Sequence, residues 1–147
     1  MGEQTTCSAI ISFAAELEET SSNLYEELAE RYPEVKEIFL SFAEENKKNK
    51  MLVTRTYQET ITDALEACFI QINLSDYAAE TTLKEGVSYL DALKIAIELE
   101  EKANRFYLDV TERSKSLLAT IPRAFQKVAK RRNDRKLKLK TMLNNLK

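Results

Sequence analysis

The sequence predicts an all-α fold: an antiparallel four-helix bundle made of two helical hairpins joined by a long crossover. Three observations predict it. The 147-residue chain has only two glycines and two prolines and is rich in Ala, Leu, Glu and Lys, the residues that favour helices. Apolar residues recur with the helical period over four long segments. One segment occurs twice: AAELEETSSNLYEELAER at 14–31 and AIELEEKANRFYLDVTER at 96–113 share Ala14/Ala96, Glu16/Glu98, Leu17/Leu99, Glu18/Glu100, Glu19/Glu101, Tyr25/Tyr107, Glu30/Glu112 and Arg31/Arg113 at an offset of 82. That period is too long for a solenoid and fits a duplicated hairpin.

Residues 1–7 read as a loose polar start. Ser8 is placed to cap a first helix running to about Tyr32. Pro33 suits the first turn of a second helix, with Glu34 and Glu37 near the positive end of its dipole. The connection is short, so these two helices form the first hairpin. The second helix extends to about Tyr57 with an inner stripe of Val35, Phe39, Phe42, Ala43, Asn46, Asn49, Lys50 and Val53. Residues 58–87 are less regular and long enough to cross the bundle. They carry an apolar patch over 65–72, a turn at 73–76 and a short helix near 76–84. Gly86 breaks the pattern, and Ser88 with Asp91 forms a capping box for the third helix, which runs to about Ser114. Thr120 caps the fourth, with Pro122 in its first turn. Its inner stripe is Phe125, Val128, Ala129, Arg132, Arg135, Lys136, Leu139, Met142, Leu143 and Leu146. The second and fourth stripes match at an offset of 86: Phe39 on Phe125, Phe42 on Val128, Ala43 on Ala129, Asn46 on Arg132 and Asn49 on Arg135. The whole chain, 1–147, reads as one domain.

Each repeat puts one glutamate, Glu18 or Glu100, in the middle of an apolar stripe, with Tyr25 or Tyr107 two turns on. A buried carboxylate is costly unless it is paired, protonated or bound to a metal. Composition narrows the chemistry. The chain has no histidine, so it lacks the commonest general base and transition-metal ligand. Cys7 and Cys68 have no metal-site spacing and read as reduced small hydrophobes of a cytoplasmic protein. No signal-peptide pattern and no membrane-length apolar run is present. Met1, Gly2 and Thr6 fit a bare myristoylation pattern, but Glu3 is a poor neighbour and no basic second signal follows. No Ser, Cys or Lys sits in an activating constellation, and there is no Gly-rich phosphate loop. Charge is uneven. Residues 123–147 hold ten bases and one acid, Asp134, while the remainder has 12 bases and 23 acids, a net of −11.

The motifs E-x-x-S-x-x-L-Y at 18–25 and E-x-x-A-x-x-F-Y at 100–107, with the F-x-x-F-A and F-x-x-V-A openings of the second and fourth helices, resemble the rubrerythrin-like branch of the ferritin-like superfamily. That resemblance implies a ferritin-like bundle with two irons at its centre, held by one Glu from each of the first and third helices and Glu-x-x-His from each of the others. Glu18 and Glu100 match. The two Glu-x-x-His positions fall on Asn46 and Asn49, and on Arg132 and Arg135. Arginine stays protonated and has no lone pair for a metal. We therefore expect Arg132 and Arg135 to pair with Glu18 and Glu100 inside the bundle, with Asn46 and Asn49 meeting the remaining hydrogen-bond demand. Tyr25 and Tyr107 read as core-filling rings whose hydroxyls find a partner.

Two readings of function follow. The first is a metal-free, non-catalytic binding or scaffold protein, a homodimer through the 65–72 patch, with no cofactor. The second is what the resemblance implies: an iron-binding di-iron oxidoreductase or peroxidase, needing an unorthodox set such as Glu18, Glu45, Glu100 and Glu101. The absence of His and the two arginines favour the first. Lys127, Lys130, Arg131 and Lys138 are the outward bases of the fourth helix, free for an acidic partner, although the acidic helices, with Glu16, Glu19, Glu26, Glu27, Glu98 and Glu101, favour pairing within the chain or across a dimer. No nucleic-acid motif accompanies them, and no membrane is expected.

Overall fold

The computed structural model describes residues 4–59, 68–114 and 120–146. Among them, a short strand β1 (Gln4–Thr6) leads into α1 (Cys7–Arg31). A 3-10 turn (Pro33–Val35) opens α2 (Lys36–Glu59). The crossover holds strand β2 (Phe69–Gln71) and a second 3-10 turn (Leu74–Tyr77), and α3 (Tyr89–Ser114) and α4 (Thr120–Asn144) complete the chain. The protein is an all-α bundle in which α1 packs along α2 and α3 along α4.

The local signals explain most boundaries. Pro33 starts the turn into α2, and the Tyr32 N–H donates back to Leu28 at 2.9 Å, closing α1. Ser88 Oγ accepts from the Asp91 N–H at 3.0 Å, so the expected cap of α3 is in place. Gly86 takes φ +82° in the turn just before it, a conformation that side chains with a Cβ resist.

The inner stripes pack as two apolar clusters. One gathers Ile10, Ile11 and Ala14 with Val53, Tyr107, Val110, Phe125 and Val128. The other gathers Leu24, Tyr25 and Leu28 with Phe39, Phe42, Leu93, Ala96 and Leu139. On every helix one or more buried polar residues fall between them, Glu18 and Ser21, Asn46 and Asn49, Glu100, Arg132 and Arg135, while buried Thr111 and Ser114 lie at the far end of α3. A polar layer thus divides an otherwise apolar core.

Six expectations need correction. The chain start is not loose from residue 4 onward: β1 pairs antiparallel with β2, Thr5 opposite Ile70, and Thr6 rather than Ser8 caps α1 by accepting from the Ala9 N–H at 3.0 Å. That pairing brings Cys7 and Cys68 to a Cα separation of 5.4 Å, and they form a disulfide instead of free thiols, a distance well suited to the bond. It also removes one ground for expecting a reducing compartment. The apolar patch turns inward: Cys68, Ile70 and Ile72 are buried and only Phe69 is exposed, while Leu65 and Ala67 lie outside the described residues. Finally, the crossover has a 3-10 turn at 74–77 and no helix over 78–88. Asn73 Oδ1 accepts from the Ser75 N–H and hydroxyl, which favours a turn, and side chains serve the carbonyls beyond it. Lys102 donates to Ala78 at 2.6 Å, and Arg31 to Leu83 and Lys84. Leu146, expected in the inner stripe, lies past the end of α4 and is exposed.

The disulfide joins residues 61 apart, and loop closure of that size is worth about 4 kcal/mol in the chain-entropy account. Reduction, or Cys68→Ser, should lower the urea midpoint correspondingly. Thiol titration of the denatured, unreduced protein should find no free thiol; two would contradict the link.

Candidate functional site

The polar layer is built from matched positions of the two hairpins. Glu18, Ser21 and Tyr25 share one face of α1, and Glu100, Ala103 and Tyr107 share the equivalent face of α3. Asn46 and Asn49 enter from α2, Arg132 and Arg135 from α4. Glu18, Asn46, Asn49, Glu100 and Arg132 are 0% exposed and Arg135 2%, so the structure brings together all six residues singled out in the sequence.

Arg132 is the hub. Its Nη1 donates to Glu100 Oε1 at 2.9 Å and Oε2 at 2.8 Å. Its Nη2 donates to Glu18 Oε2 at 2.9 Å and to Ser21 Oγ at 2.8 Å, and its Nε to Glu18 Oε2 at 3.2 Å. One guanidinium thus bridges the two repeat glutamates. Asn46 and Asn49 both donate to Glu18 Oε1, at 2.8 and 3.1 Å. The tyrosines cross over between repeats: Tyr107 donates to Glu18 Oε2 at 2.6 Å, and Tyr25 donates to Glu100 Oε2.

Arg135 differs from expectation in its main partner. Its Nη1 lies 3.4 Å from Glu100 Oε2, but its Nη2 makes the shorter ion pair, 2.5 Å, with half-buried Glu45. Nη2 also donates to the Phe42 carbonyl, and the guanidinium lies over the Phe42 and Tyr25 rings at 4.9 and 5.3 Å. Its Nε is the one buried side-chain polar atom without a partner among the described residues. Arg131, expected to point outward and free, instead donates to Asn49 Oδ1 at 2.8 Å. The offset of 86 maps Glu45 onto Arg131 and Asn49 onto Arg135. The Glu45–Arg135 and Arg131–Asn49 contacts are therefore the same contact in the two halves, a signal the sequence carried. Ser21 left no such signal, since its counterpart is Ala103.

The electrostatics follow from burial and proximity. Burial raises the Glu18 carboxyl, but Arg132, then Tyr107, Asn46 and Arg135, outweigh it and hold the group below the usual carboxylate value. Burial pushes the Tyr25 and Tyr107 phenols well above their ordinary range, with Glu100 and Glu18 pushing the same way. For Arg132, burial favours the neutral form but Glu100 and Glu18 prevail, holding the guanidinium firmly protonated. Glu18, Glu100 and Glu45 against Arg131, Arg132 and Arg135 make a formally neutral set.

A profile of the Rubrerythrin family matches residues 9–115. This chain belongs to the rubrerythrin family. The matched span contains Glu18, Asn46, Asn49 and Glu100; Arg132 and Arg135 lie beyond it. A solved Thermotoga maritima structure assigned as a ferritin-like diiron-carboxylate protein superposes with a TM-score of 0.82 at 18% identity, over 100% of both chains. At that identity the likeness is one of fold. No curated protein sequence is significantly similar.

The residues of this rubrerythrin-family chain do not fit a di-iron centre. Each oxygen of Glu18 and Glu100 already accepts hydrogen bonds, and the positions facing them carry two amides and two cations. No group of three or more His, Cys, Asp or Glu able to hold a metal occurs among the described residues. A recess of about 250 Å³ between α1 and α2 reaches down to Glu18 and Asn46, yet both remain inaccessible.

Arg132→Ala is expected to cost about 3–5 kcal/mol in chemical denaturation, because two carboxylates stay buried without their cation. An unchanged midpoint would contradict the pairing. The pH dependence has a defined sign. A lowered Glu18 gives stability that is full above its unfolded value of 4.5 and is lost as pH falls through the folded one. Raised tyrosines give stability that is full below 10.0 and is lost as pH rises. Thermal melts should therefore plateau between these limits, and Glu18→Gln should flatten the acid side and, by removing the charge that raises Tyr107, weaken part of the alkaline side.

Proposed function

We propose that this rubrerythrin-family protein has lost the di-iron centre and works as a non-catalytic, self-associating binding or scaffold module. The observation that carries the reading is Arg132, a fixed cation with two carboxylates around it at the place where the family resemblance puts iron. A guanidinium offers no lone pair to a metal and repels a cation. Neutralisation of Glu18 and Glu100 by arginine then takes the role that metal would play.

The competing di-iron oxidoreductase or peroxidase would draw on Glu18, Glu45, Glu100 and Glu101. Two of these have other engagements: Glu45 pairs with Arg135, and Glu101 pairs with Lys140 at the surface at 3.3 Å. An acid/base role for the central carboxylates is also disfavoured, since Arg132 holds Glu18 ionised.

Elemental analysis after expression in iron-replete medium, and after anaerobic ferrous reconstitution, should find no stoichiometric iron, and a chelator should leave the melting temperature unchanged. About two irons per chain, the family's complement, would restore the oxidoreductase reading. Rebuilding the ligand set with Asn46→Glu, Asn49→His, Arg132→Glu and Arg135→His should confer iron uptake that the parent lacks.

A further inference from the structure

We infer that the outer face of the α3–α4 hairpin docks onto the outer face of the α1–α2 hairpin of a second copy of this chain. This deepens the self-association in the proposed function and holds whether or not iron binds.

An open groove of about 660 Å³ runs between α3 and α4. Arg123, Lys127 and Lys130 line one wall, spaced i, i+4 and i+7 along α4, and all three are exposed. Among the described residues no carboxylate is within ion-pair distance of them, whereas Lys140 further along the same helix pairs with Glu101. Like charges at these spacings oppose one another on a helix. Leu108, 48% exposed, lies on the facing wall. The groove therefore offers a row of unpaired cations beside one apolar contact.

The duplication supplies the complement. The offset of 86 maps Arg123 onto Glu37 and Lys130 onto Glu44, and the offset of 82 maps Leu108 onto Glu26. All three glutamates are exposed, and Glu44 has only a loose contact with Lys47 at 3.9 Å. Leu40, 41% exposed, sits between Glu37 and Glu44 on α2. The two outer faces are thus related backbones in which Glu26, Glu37 and Glu44 on one stand where the other has Leu108, Arg123 and Lys130, with Lys47 and Lys50 at one end of the acidic stretch; each has one exposed leucine, and such complementary charges favour docking of one on the other. A nucleic-acid strand fits less well: no aromatic ring lines the groove for a base to stack on, and the rest of the chain is strongly acidic.

Because the inner faces of both hairpins meet at the polar layer, the outer faces point to opposite sides. The contact is therefore head-to-tail: each dimer keeps one face of each kind free, and association grows with concentration instead of closing.

Sedimentation equilibrium over a range of protein concentrations tests this. In low salt the average mass should rise past the dimer, and in high salt it should fall toward the monomer. Two charge-reversed chains sharpen the test. Arg123→Glu/Lys127→Glu/Lys130→Glu makes both faces acidic; Glu26→Lys/Glu37→Lys/Glu44→Lys makes both basic. Each alone should stay monomeric with unchanged helical circular dichroism, and an equimolar mixture should associate. The inference is overturned by a mass that stops at dimer regardless of salt, by variants that associate like the parent, or by folded variants that stay monomeric when mixed. It is also overturned if the parent binds a labelled oligonucleotide through Arg123, Lys127 and Lys130 without self-associating. If a variant fails to fold, the salt dependence of the parent alone decides. None of these outcomes bears on iron content, so this inference and the loss of the metal centre fail separately.

Discussion

One guanidinium, Arg132, holds two buried carboxylates from opposite hairpins within hydrogen-bond distance of each other's partner, and the core is arranged to make that tolerable. Taking ions out of water costs several kcal/mol each, so a buried set persists only when nearly every donor and acceptor is matched. Here the matching is close to complete. Ser21 takes the spare Arg132 N–H, Asn46 and Asn49 occupy the free oxygen of Glu18, and the two tyrosines supply the remaining donors. Apolar clusters on both sides exclude water and strengthen each contact. Such a layer is weak as a source of net stability compared with apolar packing. Its effect is on register: sliding one helix by a turn would strand a charge in one of the clusters, which leaves a single alignment of the four helices.

The duplication explains the form of the network and its imperfections. Matched glutamates and tyrosines give crossed contacts, Tyr25 to Glu100 and Tyr107 to Glu18, so neither hairpin can satisfy its own charge without the other. The second and fourth helices have diverged from this symmetry: where one has Asn46 and Asn49, the other has Arg132 and Arg135. That asymmetry carries the charge balance inside the core, and it continues on the outside as an acidic face on one hairpin and a basic face on the other. The unpartnered Arg135 Nε is a local cost of fitting a guanidinium between Glu45, Glu100 and two aromatic rings.

Much of this was legible in the sequence. A carboxylate in the middle of an apolar stripe, repeated at a fixed offset, located Glu18 and Glu100, and the second offset located Asn46, Asn49, Arg132 and Arg135. Helix boundaries followed from Pro33 and Ser88. What stayed hidden depends on contacts between segments distant in sequence. The Cys7–Cys68 bond needs the β1–β2 pairing, and six-residue pairing of Gln4–Thr6 with Phe69–Gln71 leaves no periodic pattern to read. The crossover at 78–88 is shaped by Lys102 and Arg31 reaching over from helices and by the Tyr32 hydroxyl, which donates to the Val87 carbonyl at 3.3 Å, contacts that no local propensity records. Arg131 was misjudged because an arginine at the edge of a stripe can turn inward when a partner waits there.

The central claim is that Arg132 is a fixed, ionised bridge between Glu18 and Glu100. Its most direct test is nuclear magnetic resonance of the arginine side chains at neutral pH. Slowly exchanging, separately resolved Arg132 Nη protons, with correlations to both carboxylate carbons, are predicted. A single averaged guanidinium signal in fast exchange with water, like that of an exposed arginine such as Arg123, would contradict the account.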